Sequence, residues 1–474
     1  MIRLLEDNLK PFRSCFSREA AFKWFVIIVI AFMQRSDFLG ITSVIRDLLL
    51  DGNCYESMLH FFYSDAWSLD VLRKKWYAIV SKSNLTLKVH DFTVLAGDGV
   101  KVSKEAKYMP GIKRMNQESE DSSKGQFIWG HMFGAIGVIL GKQGKLCLPL
   151  KINIQDGIQS TANWENSTIS CQSHVVQMVE NGFDTAKVFG KSILLLDRYF
   201  LTVPALKRLN ELNKQNDDLL RIVTKAKTNC VAYKKPSSDA APRRGRPSVK
   251  GTPVKLKDYW ENSSNFTDGI AHMYGKDQKI SYFCTDLLWG QNLYQELRFV
   301  LVIYNGMRSI LVSTDLSLSP VEIIELYALR FKIEKCFREF KQQFSGFGYH
   351  FWSLHLDKRN RFKRKDDPYP IDKVSDPKSR QLILKKIRAI EAFVFTCTVA
   401  MGLVQIVSLK QTFDDNIQNV RYTRTTSVNR LSEGAVINYF HKSFFGLLLH
   451  NPDSFITRFI REKQKTDERS NEVA

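Results

Sequence analysis

The sequence predicts an α/β protein: a mixed sheet flanked by helices, interrupted by a mostly β insertion, with helical regions at both ends. Three observations carry that prediction. Apolar residues recur at helical spacing up to about Lys88. From Asp91 the texture changes to short apolar runs bounded by glycine, and these alternate with helical stretches. Between about Thr228 and Glu296 a basic Pro/Ser-rich linker and further strand-like runs break that alternation.

Taken in order, 1–88 reads as a helical N-terminal unit. AAFKWFVIIVIAFM (Ala20–Met33) is apolar throughout but shorter than the ~20 residues a bilayer needs, so it predicts a buried helix and no membrane span. SVIRDLLLDG has helical spacing with Gly52 as its stop, and SLDVLRKKWYAIV starts at a Ser68 cap. Arg73, Lys74 and Lys75 suit DNA-end recognition; a packing or dimerising role remains equally open.

The stretch 89–227 reads as the first part of the core, a mixed sheet flanked by helices. FTVLAGDG, HMFGAIGVILG and KLCLPLKINI predict strands, 160–184 a helix, SILLLD a strand, PALKRLNELN a helix and LLRIVTKAK a strand. Residues 228–296 form the β-rich insertion, with VKLKDYW and KISYFCTDLLW as strands. Its linker carries Arg244-Gly245-Arg246-Pro247, either an A·T minor-groove hook or a solvated loop. The core resumes over 297–345, where Pro320 opens a helix. The last part, 346–474, holds the basic run Lys358–Lys365 and helical LILKKIRAIEAFVFTCTVAMGLVQIV, suited to DNA contact or dimerisation, and ends in about fifteen charged, frayed residues.

Composition narrows the partner. A formal net charge of +20 makes a long-range field that favours a polyanion, and 44% hydrophobic residues exclude a disordered chain. The eight cysteines are scattered without a C-x-x-C pair, which predicts isolated core thiols in a reducing, intracellular compartment.

The most informative motif is YALRFKIEKCFREFK, in which Tyr327, Arg330, Glu334 and Lys341 follow Y-x2-R-x3-E-x6-K. On one continuous helix these side chains span an arc of roughly 60°. A carboxylate set among cations suits a metal-dependent phosphate site, the carboxylate holding the ion and the cations the phosphates. Two strand-end aspartates supply partners: Asp98, between Gly97 and Gly99, and Asp197, after three leucines. The two glycines allow close approach of a backbone or phosphate. Each aspartate alone also suits a cap or turn.

With these residues the chain resembles bacterial insertion-sequence transposases with a DDE-type, RNase H-like core, and within them the insertion-sequence-four group. The match takes in Asp98 in DGVKVSKEAKYMPG, Asp197 in LLLDRYF, and the Tyr-Arg-Glu-Lys signature. The resemblance implies that Asp98, Asp197 and Glu334 bind two Mg²⁺ (or Mn²⁺) ions and are catalytic, and that Tyr327, Arg330 and Lys341 grip DNA phosphates. It implies a DNA transposase acting on double-stranded transposon ends and target DNA, as a homodimer in the synaptic complex, in the bacterial cytoplasm at the nucleoid. It further implies cut-and-paste through a hairpin, with a flipped base stacked on a tryptophan, for which Trp260 and Trp289 are candidates alongside core roles. A non-catalytic DNA-binding derivative and another RNase H-like nuclease are the rival readings. The polar stretch Lys113–Gln126 is a loop over the site or a solvated connection, and His131 is either a neighbour of the metals or a core histidine.

Overall fold

The computed structural model describes residues 1–35, 40–117, 125–142, 144–236, 248–261, 263–360, 362, 367–410 and 431–464. Arg244–Pro247, part of the Lys358–Lys365 run, part of Lys113–Gln126 and the last ten residues therefore lie outside the described residues.

Five helices open the chain: α1 (Ile2–Leu9), α2 (Glu19–Gln34), α3 (Thr42–Asp47), α4 (Cys54–Phe61) and α5 (Leu69–Ser81). Helix α2 is apolar on every side, and a helix of that kind must be buried; thirteen of its sixteen residues are. Helix α3 stops at Asp47, five residues short of the expected Gly52. The chain is drawn away there because Leu50 bridges Gln464 and the Asp51 N–H donates to the Lys463 carbonyl at 2.8 Å.

Strands β1 (Lys88–Val89), β2 (Phe92–Ser103), β3 (Lys113–Asn116), β4 (Phe127–Leu140) and β5 (Leu146–Asp156) follow. After them come α6 (His174–Phe189), β6 (Ser192–Leu195), α7 (Val203–Lys214) and β7 (Leu220–Lys225). The helix expected over 160–184 begins only at His174, behind Ser173 in extended conformation. Helix α7 starts where the Thr202 hydroxyl accepts from the Ala205 N–H and Pro204 fills the first turn. The four residues of β6 are all buried, as a parallel strand covered on both faces requires.

The region of the expected insertion holds β8 (Val231–Tyr233), β9 (Pro253–Lys255), β10 (Thr267–Met273) and β11 (Lys276–Trp289), followed by the hairpin β12 (Gln295–Tyr304) and β13 (Met307–Ser313). VKLKDYW is only in part a strand, because Leu256–Glu261 turns into a 3₁₀ helix. Helices α8 (Pro320–Leu329), α9 (Phe331–Gln342), α10 (Pro377–Lys410), α11 (Glu433–Leu449) and α12 (Phe455–Arg461) complete the chain.

All thirteen strands join one mixed sheet, and twelve helices accompany it among the described residues. The order β4-β2-β6-β7-β13-β12-β11 runs through its middle, with β5 on the outer side of β4. The β2–β6 and β6–β7 pairs are parallel and the others antiparallel. Strand β13 pairs with β7 through Leu311↔Lys225, so β10–β13 extend the core sheet without a break.

The outer edge of β5 is closed by side chains rather than by a strand. Trp76 Nε1 donates to the Pro149 carbonyl (3.2 Å), Gln405 Nε2 donates to Cys147 O (3.1 Å), and Ile154 N–H donates to Glu391 Oε1 (3.0 Å). An uncovered edge would template pairing with another chain. Helix α10 supplies two of the three groups. Among the described residues it is the one helix long and apolar enough to cross a membrane by length and composition, yet 94% of its apolar window is buried inside the protein.

The thiols depart from expectation. All eight cysteines are free, but Cys171 is exposed, and Cys336 on α9 meets Cys147 on β5 instead of standing alone.

Candidate functional site

Strand register brings the two aspartates side by side. Ala96 on β2 pairs in parallel with Leu195 on β6, and Asp98 and Asp197 each lie two residues beyond that pair. Neighbouring strands stand about 5 Å apart, and residues two apart share a face. Which face is settled by the intervening residues. A Cβ added to Gly97 would lie 2.8 Å from Leu196 Cδ2 and 3.0 Å from Met178 of α6, and one on Gly99 would lie 2.5 Å from Met132 Cε and 3.0 Å from His174 of α6. The glycines thus make room for packed side chains, rather than for a backbone or phosphate, and Asp98 points to the opposite face.

Helices α8 and α9 deliver the signature to that face. Helix α8 starts in a capping box, Ser319 Oγ accepting from the Glu322 N–H while the Glu322 carboxylate accepts from the Ser319 N–H at 2.8 Å. His90 Nε2 meets Glu322 Oε1 at 2.7 Å, tying this helix to the turn before β2. The expected single helix is two. The Arg330 N–H donates to Tyr327 O, and the Ile333 N–H to Arg330 O, both at 3.0 Å, so the winding tightens to a three-residue turn at Arg330.

That turn aims Arg330 into the carboxylates. Its Nη1 donates to Asp98 Oδ2 at 3.1 Å and its Nη2 to Glu334 Oε1. The guanidinium side chain is only 14% exposed, against 22% for Asp98 and 42% for Glu334. Burial raises the Asp98 pKa to about 6. Arg330 and the Gly99 N–H, 2.8 Å from Oδ1, pull it down, while Asp197 and Glu334 push it further up. Asp197 and Glu334 are therefore each within electrostatic reach of Asp98. Burial lifts the Tyr327 phenol to about 12, a rise moderated by Arg330, to which its hydroxyl is hydrogen-bonded.

Asp98, Asp197, Glu334, Tyr327 and Arg330 thus share one place. Lys341 is exposed, seven residues beyond Glu334, or about 10 Å along α9. Among the described residues no group of three His, Cys, Asp or Glu side chains is spaced to hold a metal ion. The donor chemistry nevertheless suits a hard divalent cation, three carboxylates with one half-buried and crowded by the others. The Arg330 fork lies between Asp98 and Glu334.

The structure also places the other residues singled out above. Trp260 stacks on Phe266 with ring centroids 5.4 Å apart, and the Trp289 indole hydrogen-bonds Cys230. Trp289 ends β11, roughly 40 Å along the strand from the β10–β11 tip. The aromatic residue at the signature helix is Tyr274, on that tip. It is 64% exposed, has a left-handed φ of 57°, and feels the charges of Arg330 and Glu334. The Tyr-Gly turn between two strand-like runs signals a hairpin, but nothing local says that its tip reaches α9; the His272 N–H donating to Glu325 Oε1 of α8 helps place it. His174 was also missed. It is buried beside Gly99 and the rings of Tyr199 and Phe200, 5.9 and 5.2 Å away. Arg73 is buried and paired with Glu391 (3.0 Å) and Asp70 (3.3 Å), as the packing alternative expects. Lys113–Asn116 forms strand β3 instead of a loop. A cavity of about 500 Å³ lies elsewhere, between α5, β5, α6 and α10, and includes Arg73, Lys151 and Glu391 in its lining.

His131 is a core histidine. Its Nε2 donates to Pro110 O at 2.7 Å, so Nδ1 accepts from the Tyr349 hydroxyl at 2.6 Å, and the ring is neutral. Burial lowers its pKa to about 4. The unfolded chain takes a proton near pH 6.5 while the folded one refuses it until about pH 4. His131 therefore removes stability as pH falls through that window, on the order of 3 kcal/mol in full. His131→Gln should flatten the pH dependence of the denaturation midpoint between pH 6.5 and 4; an unchanged slope would refute this origin.

No family model matches the chain, and no curated protein matches it.

Proposed function

We propose that the protein is a DDE-type transposase with an RNase H-like core, which cuts and joins DNA at the ends of an insertion sequence. The observation that carries this reading is the convergence of Asp98, Asp197 and Glu334, from three separate elements, with Tyr327 and Arg330 of the signature among them. The order β5-β4-β2-β6-β7, with β2, β6 and β7 mutually parallel and α6 and α7 between them in sequence, supports the RNase H-like assignment. The net charge of +20 supports a double-stranded DNA partner. Action as a homodimer on paired ends, a hairpin intermediate and a place at the bacterial nucleoid follow from the family resemblance.

On this reading Asp98, Asp197 and Glu334 would hold two Mg²⁺ or Mn²⁺ ions, whose contribution when bound is to activate the attacking oxygen and stabilise the leaving one. The remaining work is done by the chain's own groups. Tyr327, with its pKa near 12, stays a neutral hydroxyl that can donate to a phosphate oxygen. Arg330 offers a two-pronged donor to the same phosphate. Lys341, about 10 Å along α9, meets a phosphate farther down the strand. Asp98 is carried on β2 and Asp197 two residues past the end of its parallel neighbour β6, so the sheet supports the backbone of both.

The test is incubation of the full chain with duplexes carrying the inverted repeats that flank its gene, with Mg²⁺ or Mn²⁺. Cleavage at the repeat ends is expected. Tight binding without cleavage at any divalent-ion concentration would replace this reading with a non-catalytic end-binding protein. Lys341→Ala should weaken binding to all duplexes alike and reduce the slope of log affinity against log salt by about one. A loss confined to one sequence would instead assign Lys341 to base recognition.

A further inference from the structure

We infer that Arg330 is the resident counter-ion of the carboxylate cluster in the ion-free protein, and that divalent ions bind there only by displacing it. The inference rests on the transposase reading of the site and adds a control step to it. Its basis is geometric. The guanidinium spans Asp98 and Glu334, lies less exposed than either partner, and feels the charge of Asp197. Three carboxylates gathered at a half-buried place repel one another unless a positive charge sits among them. Arginine cannot relieve that repulsion by losing its proton, since it stays charged at any ordinary pH.

The fold also gives the side chain somewhere to go. Arg330 sits at the tightened turn between α8 and α9, beside the exposed Tyr274 tip; on this proposal its fork leaves by rotation about its own side-chain bonds. Once outward, the same guanidinium is free to take a DNA phosphate. Ion binding and phosphate binding then become coupled through one residue: the cluster releases its arginine as it fills, and the arginine is committed to DNA only in the loaded state.

The experiment is titration of the full-length protein, without DNA, with Mn²⁺, following free Mn²⁺ by electron paramagnetic resonance. Parent, Arg330→Gln, Arg330→Lys and Asp98→Asn proteins are compared. Arg330→Gln should bind Mn²⁺ about ten- to a hundred-fold more tightly, because two charge-assisted hydrogen bonds no longer compete. Arg330→Lys, which keeps the charge but not the fork, should fall between the two. In ion-free buffer Arg330→Gln should melt below the parent and recover the difference when Mn²⁺ is added. Equal or weaker Mn²⁺ binding by Arg330→Gln, with binding still lost in Asp98→Asn, overturns the displacement while sparing the metal site. Identical, negligible binding by all four proteins overturns both.

Discussion

Alanine at Asp98, Asp197 or Glu334 is expected to lower metal-dependent cleavage of a cognate end by roughly 10⁴-fold, while duplex binding stays within a few-fold of the parent. The size of the effect follows from the arrangement. Each carboxylate comes from a different element, so none can take over the position of a missing neighbour, and the three act as a unit whose single losses cost nearly as much as joint loss. Binding is spared because the contacts that attract the polyanion are the cations distributed over a chain of net charge +20. Removing an acid, if anything, strengthens that attraction. The measurement is single-turnover cleavage of labelled duplexes beside a gel-shift titration. Parent-like cutting by Glu334→Ala would sink the catalytic assignment.

Trp76→Ala is expected to be the most destabilising single change away from the site, at about 3–5 kcal/mol. Trp76 is fully buried, and its indole N–H donates to Pro149 O on the outer edge of β5. Its ring also occupies the space left by Gly402 of α10, where a Cβ would sit 2.3 Å from Cζ2. Truncation therefore opens a cavity, loses a hydrogen bond and unseats α10 from the sheet edge it covers. Gly402→Ala attacks the same contact from the other side by overpacking, with a smaller cost of about 1–3 kcal/mol. Urea denaturation followed by near-ultraviolet circular dichroism reports both. Were Trp76→Ala to unfold at the parent's urea concentration, the α5–β5–α10 junction would not be the support described.

How far the site was legible can be judged residue by residue. Asp98 and Asp197 were visible because a carboxylate ending an apolar run is chemically out of place unless it is at a rim or paired. Their adjacency was not, because it depends on the parallel register Ala96↔Leu195 between segments about a hundred residues apart. The expected strand end at Asp98, moreover, is not one: β2 runs on through it to Ser103, and Asp197 stands two residues past the end of β6. The signature spacing correctly put Arg330 beside Glu334, one turn away. It could not reveal the bond from Arg330 to Asp98, a residue 232 positions distant. The arc computed for one continuous helix failed at the same residue, since local spacing cannot say where a helix tightens. Arg73 shows the converse limit: local sequence left it open between a DNA face and a packing role, and Glu391, on a helix at the other end of the chain, draws it into the core.

By itself the sequence determined the α/β class, the buried helix α2, the strand that carries Asp98 and the one that leads to Asp197, and the spacing of Tyr327, Arg330, Glu334 and Lys341. All of these are properties of period, capping and composition within a few turns of chain. Only the tertiary structure decided that β10–β13 extend the core sheet, that Tyr274 rather than a tryptophan stands by the signature, and that Arg330 lies between the carboxylates. The physical reason is common to the three. Strand order, hairpin docking and long-range ion pairs are chosen by which surfaces exclude water together, and that choice is made over the whole chain at once.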